Sequence, residues 1–375
     1  MQNDNVKIEI ILLGILFFGI FAWAQSSRAE IISADRRVTW QGNVGVSGDI
    51  PSRSTICSTA ACVTAARPTS GDNKTRIQNA IDSCPSGQVV LLGAGTYTIN
   101  SQVTLKSNVV LRGAGPGVTT IATTGTSAYG YMAGVVMVNG EGGSWDMSSP
   151  AGVNLSSGYT KGSTTINTSS AHGWNAGDVI LIDQLNSDAS DPPVTLTDSE
   201  GCNANCGRTS GGVAVRSLGQ VNRIKTVLST TQVELEIPLY QTYSSDLTPQ
   251  GVTVLGLLSD VGIENLTIDT SSISSTDSTA LSLNGAESSW VSNVEVVSGT
   301  TWMANVLLYH TYRNTIRGCN FHGSPGTVYP GASYGFLLLA INSANLIENN
   351  LFRDLGTPII MDGVASGNVF AYNYT

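Results

Sequence analysis

One short pattern recurs through the last part of the chain, and it limits the fold more than any other feature. Ile263-Glu264-Asn265-Leu266-Thr267-Ile268 is followed by Val291-Ser292-Asn293-Val294-Glu295-Val296, then Ile316-Arg317-Gly318-Cys319-Asn320-Phe321 and Ile347-Glu348-Asn349-Asn350-Leu351-Phe352. A looser copy is Phe370-Ala371-Tyr372-Asn373-Tyr374-Thr375. The copies start at 263, 291, 316, 347 and 370, so the intervals are 28, 25, 31 and 23 residues. Self-similarity at such a period marks an array of stacked units, each too small to bury its apolar face alone. Apolar and polar residues alternate inside each copy, which is strand periodicity. A further strand precedes each copy, as in Ala280-Leu281-Ser282-Leu283, Val306-Leu307-Leu308-Tyr309, Phe336-Leu337-Leu338-Leu339 and Ile359-Ile360-Met361. Two or three strands per coil, with Gly or Asn at the corners, predict an all-β fold built on a right-handed parallel β-helix. Leucine-rich repeats are set aside because their fixed leucine and asparagine spacing is absent. Asn314, Asn345 and Asn368 each stand just before a repeat strand. They are expected to stack at one corner and bond the neighbouring backbone.

Charged residues make up 12% of the 375, about half the usual share. Gly, Ser, Thr, Asn and Val fill the chain instead, which suits short strands and tight turns. The net charge of −9, with no Lys/Arg cluster, argues against nucleic acid and anionic membrane as partners. An apolar run from Ile10 to Trp23 ends in Ala22-Trp23-Ala24, the small-x-small pattern of a cleavable leader. The run is short for a membrane span. Residues 1–24 therefore read as a signal peptide, and the chain is expected to be secreted or at the cell surface, with no membrane contact after its removal. Export permits disulfides. One pair among Cys57, Cys62 and Cys84 is expected, Cys202 and Cys206 are placed to close a loop, and Cys319 reads as a small apolar residue in a repeat strand. Cys202-x-x-x-Cys206 lacks the further ligands that zinc needs.

Residues 25–70 read as an irregular segment. Residues 71–157 hold a helix and the first coils. Asp72 stands at the helix N-cap, Ile77, Ala80, Ile81 and Cys84 fall on one face, and Pro85-Ser86-Gly87 ends it. Short β segments around Val89, Thr96, Thr104 and Val110 follow. Residues 158–256 break the rhythm and read as a small inserted β subdomain protruding from the early coils. Its loop with Asp188, Asp191, Asp198 and Glu200 reads as solvated, since it lacks the regular alternation of a calcium loop. Residues 257–375 are β-helix coils. Thr375 falls inside a repeat, at the position of Phe352 one coil earlier, so further coils are expected beyond it, because an open last coil would expose strand edges and core.

The stretch from Asp72-Asn73-Lys74-Thr75-Arg76-Ile77 to Cys84, with Gly95-Thr96-Tyr97 and Leu111-Arg112-Gly113-Ala114-Gly115, resembles the opening of the pectate-lyase superfamily. More narrowly, it resembles the rhamnogalacturonase/epimerase-like pectate lyase domain. Asn314-Thr315-Ile316-Arg317-Gly318-Cys319-Asn320-Phe321 fits that repeat pattern. The resemblance implies that the helix caps the open end of the β-helix. Gly93 departs from it, since relatives usually have proline there. That superfamily holds polyuronide lyases, glycosidases, epimerases and phage tailspikes, so the resemblance implies a fold before an activity. No Asn-Thr-Asp, Asp-Asp or Gly-His-Gly run of polygalacturonase-type hydrolases is present. Gly113-x-Gly115-x-Gly117 is interrupted by Pro116 and reads as a turn. The three histidines, His172, His310 and His322, sit in no nucleophile motif.

Three functions compete: a lyase or hydrolase on an acidic polysaccharide such as pectin, a non-catalytic adhesin or glycan-binding protein, and a tailspike-like protein. The partner is expected to be a polysaccharide or other glycan, and the protein a monomer. Aligning the repeats on Ile268, Val296, Phe321 and Phe352 as inward residues turns their neighbours outward. The residues before them are Thr267, Glu295, Asn320 and Leu351. Those after are Asp269, Val297, His322 and Arg353. In related enzymes this sheet often lines the substrate groove. A lyase needs a base for the proton α to a uronate carboxyl and positive charge for the carbanion. Arg353 or His322 is the candidate base or stabiliser, and Asn320 and Thr267 are the candidate substrate contacts. Asp269 and Glu295 would hold calcium, the one candidate cofactor, or would serve a hydrolase as its acid/base pair. The plainer reading is an ordinary solvated sheet face.

Overall fold

Alternation decides which side of each strand faces inward, and stacking then lines like residues up in columns. The computed structural model describes residues 43–124, 134–140, 152–187, 207–210, 213–273, 279–298, 304–323 and 334–375. All belong to one unit running from Gln41 to Thr375. Residues 1–24, read above as a signal peptide, Cys202, Cys206 and the acidic loop of Asp188 to Glu200 lie outside the described residues.

The body is a parallel β-helix. An eleven-stranded sheet forms two rows on either side of a corner. The first row runs Val89–Leu91, Val110–Arg112, the first halves of Gly262–Asp269 and Trp290–Val297, then Thr315–Arg317, Leu346–Glu348 and Val369–Ala371. The second runs Gly95–Ile99, Thr119–Thr123, the second halves of the same two long strands, Asn320–His322 and Leu351–Arg353. An eight-stranded sheet forms the third face, its main path being Val103–Leu105, Gly134–Asn139, Thr279–Glu287, Ala304–Tyr312, Tyr334–Ser343 and Thr357–Asp362. Ile263, Val291, Ile316, Ile347 and Phe370 pair in register, so the five sequence copies are five successive coils. Ile268, Val296, Phe321 and Phe352 form the next column and are buried. Gly262 pairs directly with Val110, although a long insertion separates them in sequence.

The first coil is closed by helices. Helix α1 (Ala60–Ala65) starts at Thr59, whose hydroxyl accepts from Cys62 N. This corrects the reading of 25–70 as wholly irregular: a short helix with one buried turn carries too little periodicity to register. Helix α2 (Lys74–Ser83) buries Ile77, Ala80 and Ile81 against the coil. The N-cap is Asn73, one place after the expected Asp72, and its side chain makes no capping bond; Asp72 instead accepts from Lys74 N at 3.1 Å. Gln78 covers the open strand edge: its Nε2 donates to Thr104 O and its Oε1 accepts from Thr104 N, at 2.9 and 3.0 Å. Cys57 and Cys62 are disulfide-bonded beside α2, while Cys84 and Cys319 are buried thiols. Gly93 N donates to Ala66 O at 3.0 Å, and a Cβ at Gly93 would stand 2.6 Å from that oxygen. Proline would lose the donor and crowd the acceptor, which accounts for glycine here. No helix among the described residues is long and apolar enough to cross a membrane.

After Asn139 the chain builds a closed barrel of Val153–Ser157, Thr165–Thr168, Val179–Gln184, Leu218–Ser229, Gln232–Leu235 and Gln250–Thr253. It takes in Val153–Ser157, ahead of the expected start at 158. Ile166, Ile180, Ile182, Ile224 and Val233 fill it. Its outer side, through Leu181, Val221 and Val252, packs on Tyr312, Ile341 and Val364 of the later coils. Attachment to the early coils is corrected accordingly: the barrel leaves from an early coil but buries its apolar flank on later ones. Arg313 binds Glu236 and Arg223 binds Glu287 across this contact.

Each coil turns at residues in the left-handed region, where asparagine is tolerated better than most side chains. Asn265, Asn293 and Asn349 occupy it at one corner with φ of 55°, 52° and 55°. At the next corner, Asn314, Asn345 and Asn368 form the expected ladder. Asn345 Oδ1 accepts from Asn314 N and Nδ2 at 2.9 and 3.0 Å, and Asn345 Nδ2 donates to Asn368 Oδ1 at 2.8 Å and Thr311 Oγ1 at 3.0 Å. A second ladder, absent from the sequence reading, joins Cys319 N, Asn350 and Asn373. Replacing Asn345 by Ala leaves the buried Asn314 N without an acceptor and removes one of the two bonds of Asn314 Nδ2. It is expected to cost about 2–4 kcal/mol, read as a lower urea midpoint with an unchanged slope.

Candidate functional site

The second row carries the expected outward residues in the expected register. Thr267 pairs with Glu295, Glu295 with Asn320, and Asn320 with Leu351; Val297 pairs with His322, and His322 with Arg353. Coils stack about 4.8 Å apart, so these side chains share one face. Glu295 is its centre. His322 Nε2 lies 3.0 Å from Glu295 Oε1, Thr267 Oγ1 donates to Glu295 Oε2 at 2.9 Å, and Asn320 Nδ2 stands 3.5 Å from Oε1. Burial by itself would raise the Glu295 carboxyl, but the bonds from His322 and Thr267, with the charges of His322 and Arg353, outweigh it and hold the group below its ordinary value. The result is an ionised carboxylate that orients an imidazole, with the exposed Arg353 guanidinium close enough to act on it.

Two roles change. Thr267 is buried and takes a bond from Gly117 N while it donates to Glu295. It therefore orients Glu295 and is not placed to touch a ligand. Asp269 accepts from Ser271 N in a turn, and both oxygens of Glu295 already have protein donors. Among the described residues Asp269 and Glu295 belong to no close group of three His, Cys, Asp or Glu side chains; the one such cluster is Cys57, Cys62 and Cys84. Among the described residues Arg353 pairs with Asp354 alone, at 3.4 Å.

A second outward column, in the first row, escaped the sequence reading. Arg112, Glu264 and Ser292 pair in register, followed by Arg317 and Glu348. Taking the second residue of every repeat copy together would have shown it. Trp290 lies across Gly262, where a Cβ would stand 2.6 Å from the indole. The indole Nε1 donates to Glu264 Oε1 at 2.6 Å, and Arg112 Nε donates to Glu264 Oε2 at 2.6 Å. Residues 43–56 form a strap over this row. Val46 N donates to Thr315 Oγ1, Arg112 donates to Arg53 O, Asp49 pairs with Arg317, and Val46 and Ile50 pack on Val89, Val110 and Trp290. Between strap and sheet an open groove of about 610 Å³ is lined by residues that include Ser52, Arg53, Arg112, Glu264, Asn265 and Ser292.

A helix-capped parallel β-helix with this opening motif has a known counterpart. Residues 65–182 match the family of rhamnogalacturonase A/epimerase, pectate lyase-like domains. The matched segment runs from the end of α1 into the barrel. No curated protein sequence matches the chain. Among solved structures, the tailspike gp61 of Pseudomonas phage phi297 is 14% identical over 79% of this chain and 42% of its own, with a TM-score of 0.51. The tailspike gp49 of Pseudomonas phage LKA1 is 20% identical over 76% of this chain and 43% of its own, with a TM-score of 0.49. The Gp54 tailspike of Acinetobacter baumannii bacteriophage AP22, solved with a capsular saccharide, is 11% identical over 82% of this chain and 56% of its own, with a TM-score of 0.39. The chain thus spans under half the length of the two Pseudomonas tailspikes, and at these identities the likeness is one of fold.

Two outcomes test the geometry. Glu295 has its folded pKa below the ordinary 4.5, so its contribution to stability is present above that value and is lost as pH falls through the folded pKa. The stability gap between the wild type and Glu295→Gln should therefore shrink as pH falls from above 4.5 through the folded pKa, as followed by urea midpoints; a constant gap would show that the neighbours of Glu295 do not hold its carboxyl low. Gly262→Ala forces Trp290 off its seat, with an expected loss of about 1–3 kcal/mol read by thermal unfolding.

Proposed function

We propose that this chain is a secreted β-helix protein that cleaves an acidic polysaccharide by β-elimination on the second row. The observation that carries the reading is the ionised Glu295 bonded to His322 Nε2 at 3.0 Å, with Arg353 one coil beyond His322. With Nε2–H donated to Glu295, the lone pair of His322 Nδ1 is the base. It takes the proton α to a uronate carboxyl while Arg353 pairs with that carboxylate and stabilises the carbanion. The electron pair then forms the ring double bond as the glycosidic oxygen leaves and is protonated from solvent. Asn320 supplies a polar contact for a sugar hydroxyl. A carboxyl held low suits this chemistry better than hydrolysis, whose general acid must stay protonated at working pH. The pectate lyase-like domain at 65–182 supports a carbohydrate ligand, and the leader at 1–24 supports export.

The test is a polyuronide panel assayed with the full chain for ultraviolet-absorbing unsaturated products and for new reducing ends. Both should appear together, and His322→Ala with Arg353→Ala should lower turnover by about 10²–10⁴-fold with the fold intact. Unchanged turnover in the double variant removes this patch from the mechanism. Reducing ends without unsaturation would indicate hydrolysis, and binding without either product would indicate a glycan-binding surface protein.

A further inference from the structure

The groove between the strap and the first row is separate from the Glu295 patch, and its chemistry is that of an anion site with polar walls. Arg53 is its distinctive member. Its guanidinium lies over the Trp290 ring, 5.9 Å from the centroid. Its ion-pair partner Asp260 stands at 3.9 Å, beyond hydrogen-bond length. Among the described residues no hydrogen bond is made by this guanidinium, although its side chain is only 19% exposed. Arg112, beside it, uses Nε on Glu264 and one terminal nitrogen on Arg53 O, which leaves Nη1 as a donor. Glu264 is already satisfied by Trp290 and Arg112, so it fixes Arg112 in place. Two arginines and one glutamate line the groove, and Asp260 beside Arg53 balances the formal charge, so the attraction for an anion comes from the donors on Arg53 and Arg112 that, among the described residues, no protein group takes up. Ser52, Ser54, Ser292 and Asn265 add hydroxyls and an amide to the same walls.

We propose that this groove binds a carboxylate-bearing sugar residue, with Arg53 and Arg112 Nη1 on the carboxylate and the serines and Asn265 on its hydroxyls. The volume, about 610 Å³, is that of ordinary small-ligand sites. Its position extends the reading of the second row. Ser292 lines the groove and Glu295 centres the patch, three residues apart on Trp290–Val297, with the Asn293 corner between them. That is a span of about 10 Å at most, so one oligosaccharide that rounds the corner would meet both. The inference rests on the acidic-polysaccharide reading for its ligand class but not on catalysis by His322.

Titration calorimetry of the full chain with a hexuronate trisaccharide and with its neutral methyl ester tests it. Arg53→Gln should weaken the acid about tenfold and leave the ester unchanged, while Arg53→Lys keeps most of the affinity. The same comparison made in the His322→Ala, Arg353→Ala background separates the two sites. A retained Arg53 dependence there supports the groove even if no cleavage is ever found. Equal affinity of wild type and Arg53→Gln for the acid overturns the groove, as does an ester bound as tightly as the acid, whatever the patch does. Should Arg53→Gln unfold early, the salt dependence of the wild type in the double-variant background decides: screening should weaken the acid, and indifference to salt would sink the idea.

Discussion

Hydrogen bonding between successive coils holds each residue against its equivalent one coil away, and the other features inherit that register. Inside, it assembles Ile263, Val291, Ile316, Ile347 and Phe370 into one column and brings the Phe321 and Phe352 rings to 5.3 Å in the next. Outside, the same pairing sets Arg112 against Glu264 and Arg317 against Glu348, each at 2.6 Å. A slip of one residue would turn every such column over. The candidate patch is therefore a product of the core: Glu295 meets His322 because Val296 meets Phe321.

The corners make this stacking compatible with a chain that must turn several times per coil. Backbone groups at a turn lose their strand partners and are buried under the next coil, where an unpaired group is costly. The asparagine ladders supply those partners side chain by side chain. Asn314 Nδ2 also donates to Ala286 O, and Asn368 Nδ2 to Asn342 O. The ladders thus tie the corner to the strand before it, and the rows that carry the patch and the groove keep a constant angle.

Columns that face outward and are apolar need covers of their own, since large exposed apolar patches favour association. The strap 43–56 covers Val89, Val110 and Trp290 with Val46 and Ile50, and the barrel covers Tyr312, Ile341 and Val364. The first of these covers leaves a polar margin, and the groove with Arg53 and Glu264 lies in that margin. A segment without regular structure therefore shapes a binding surface by closing over a sheet whose own side chains are set by register.

The repeat, its strand character, the ladder of Asn314, Asn345 and Asn368 and the members of the Glu295 patch were legible in the sequence, because period-2 alternation is local and the five copies share one phase. Helix α2 was legible for the same reason: Ile77, Ala80 and Ile81 recur at helical spacing. What the sequence alone left open depends on contacts between distant segments. The bond from Gly117 N that turns Thr267 from a ligand contact into a support for Glu295 joins positions 150 residues apart. The strap reaches Thr315 and Arg317 from Val46 and Asp49, separations of 269 and 268 residues. The barrel docks on later coils because its apolar flank matches Tyr312 and Ile341, a fit between two surfaces that no single segment encodes. Alternation records which way a side chain points relative to its own strand. What stands opposite it is decided only when the coils have stacked and the loose ends have found the faces left bare.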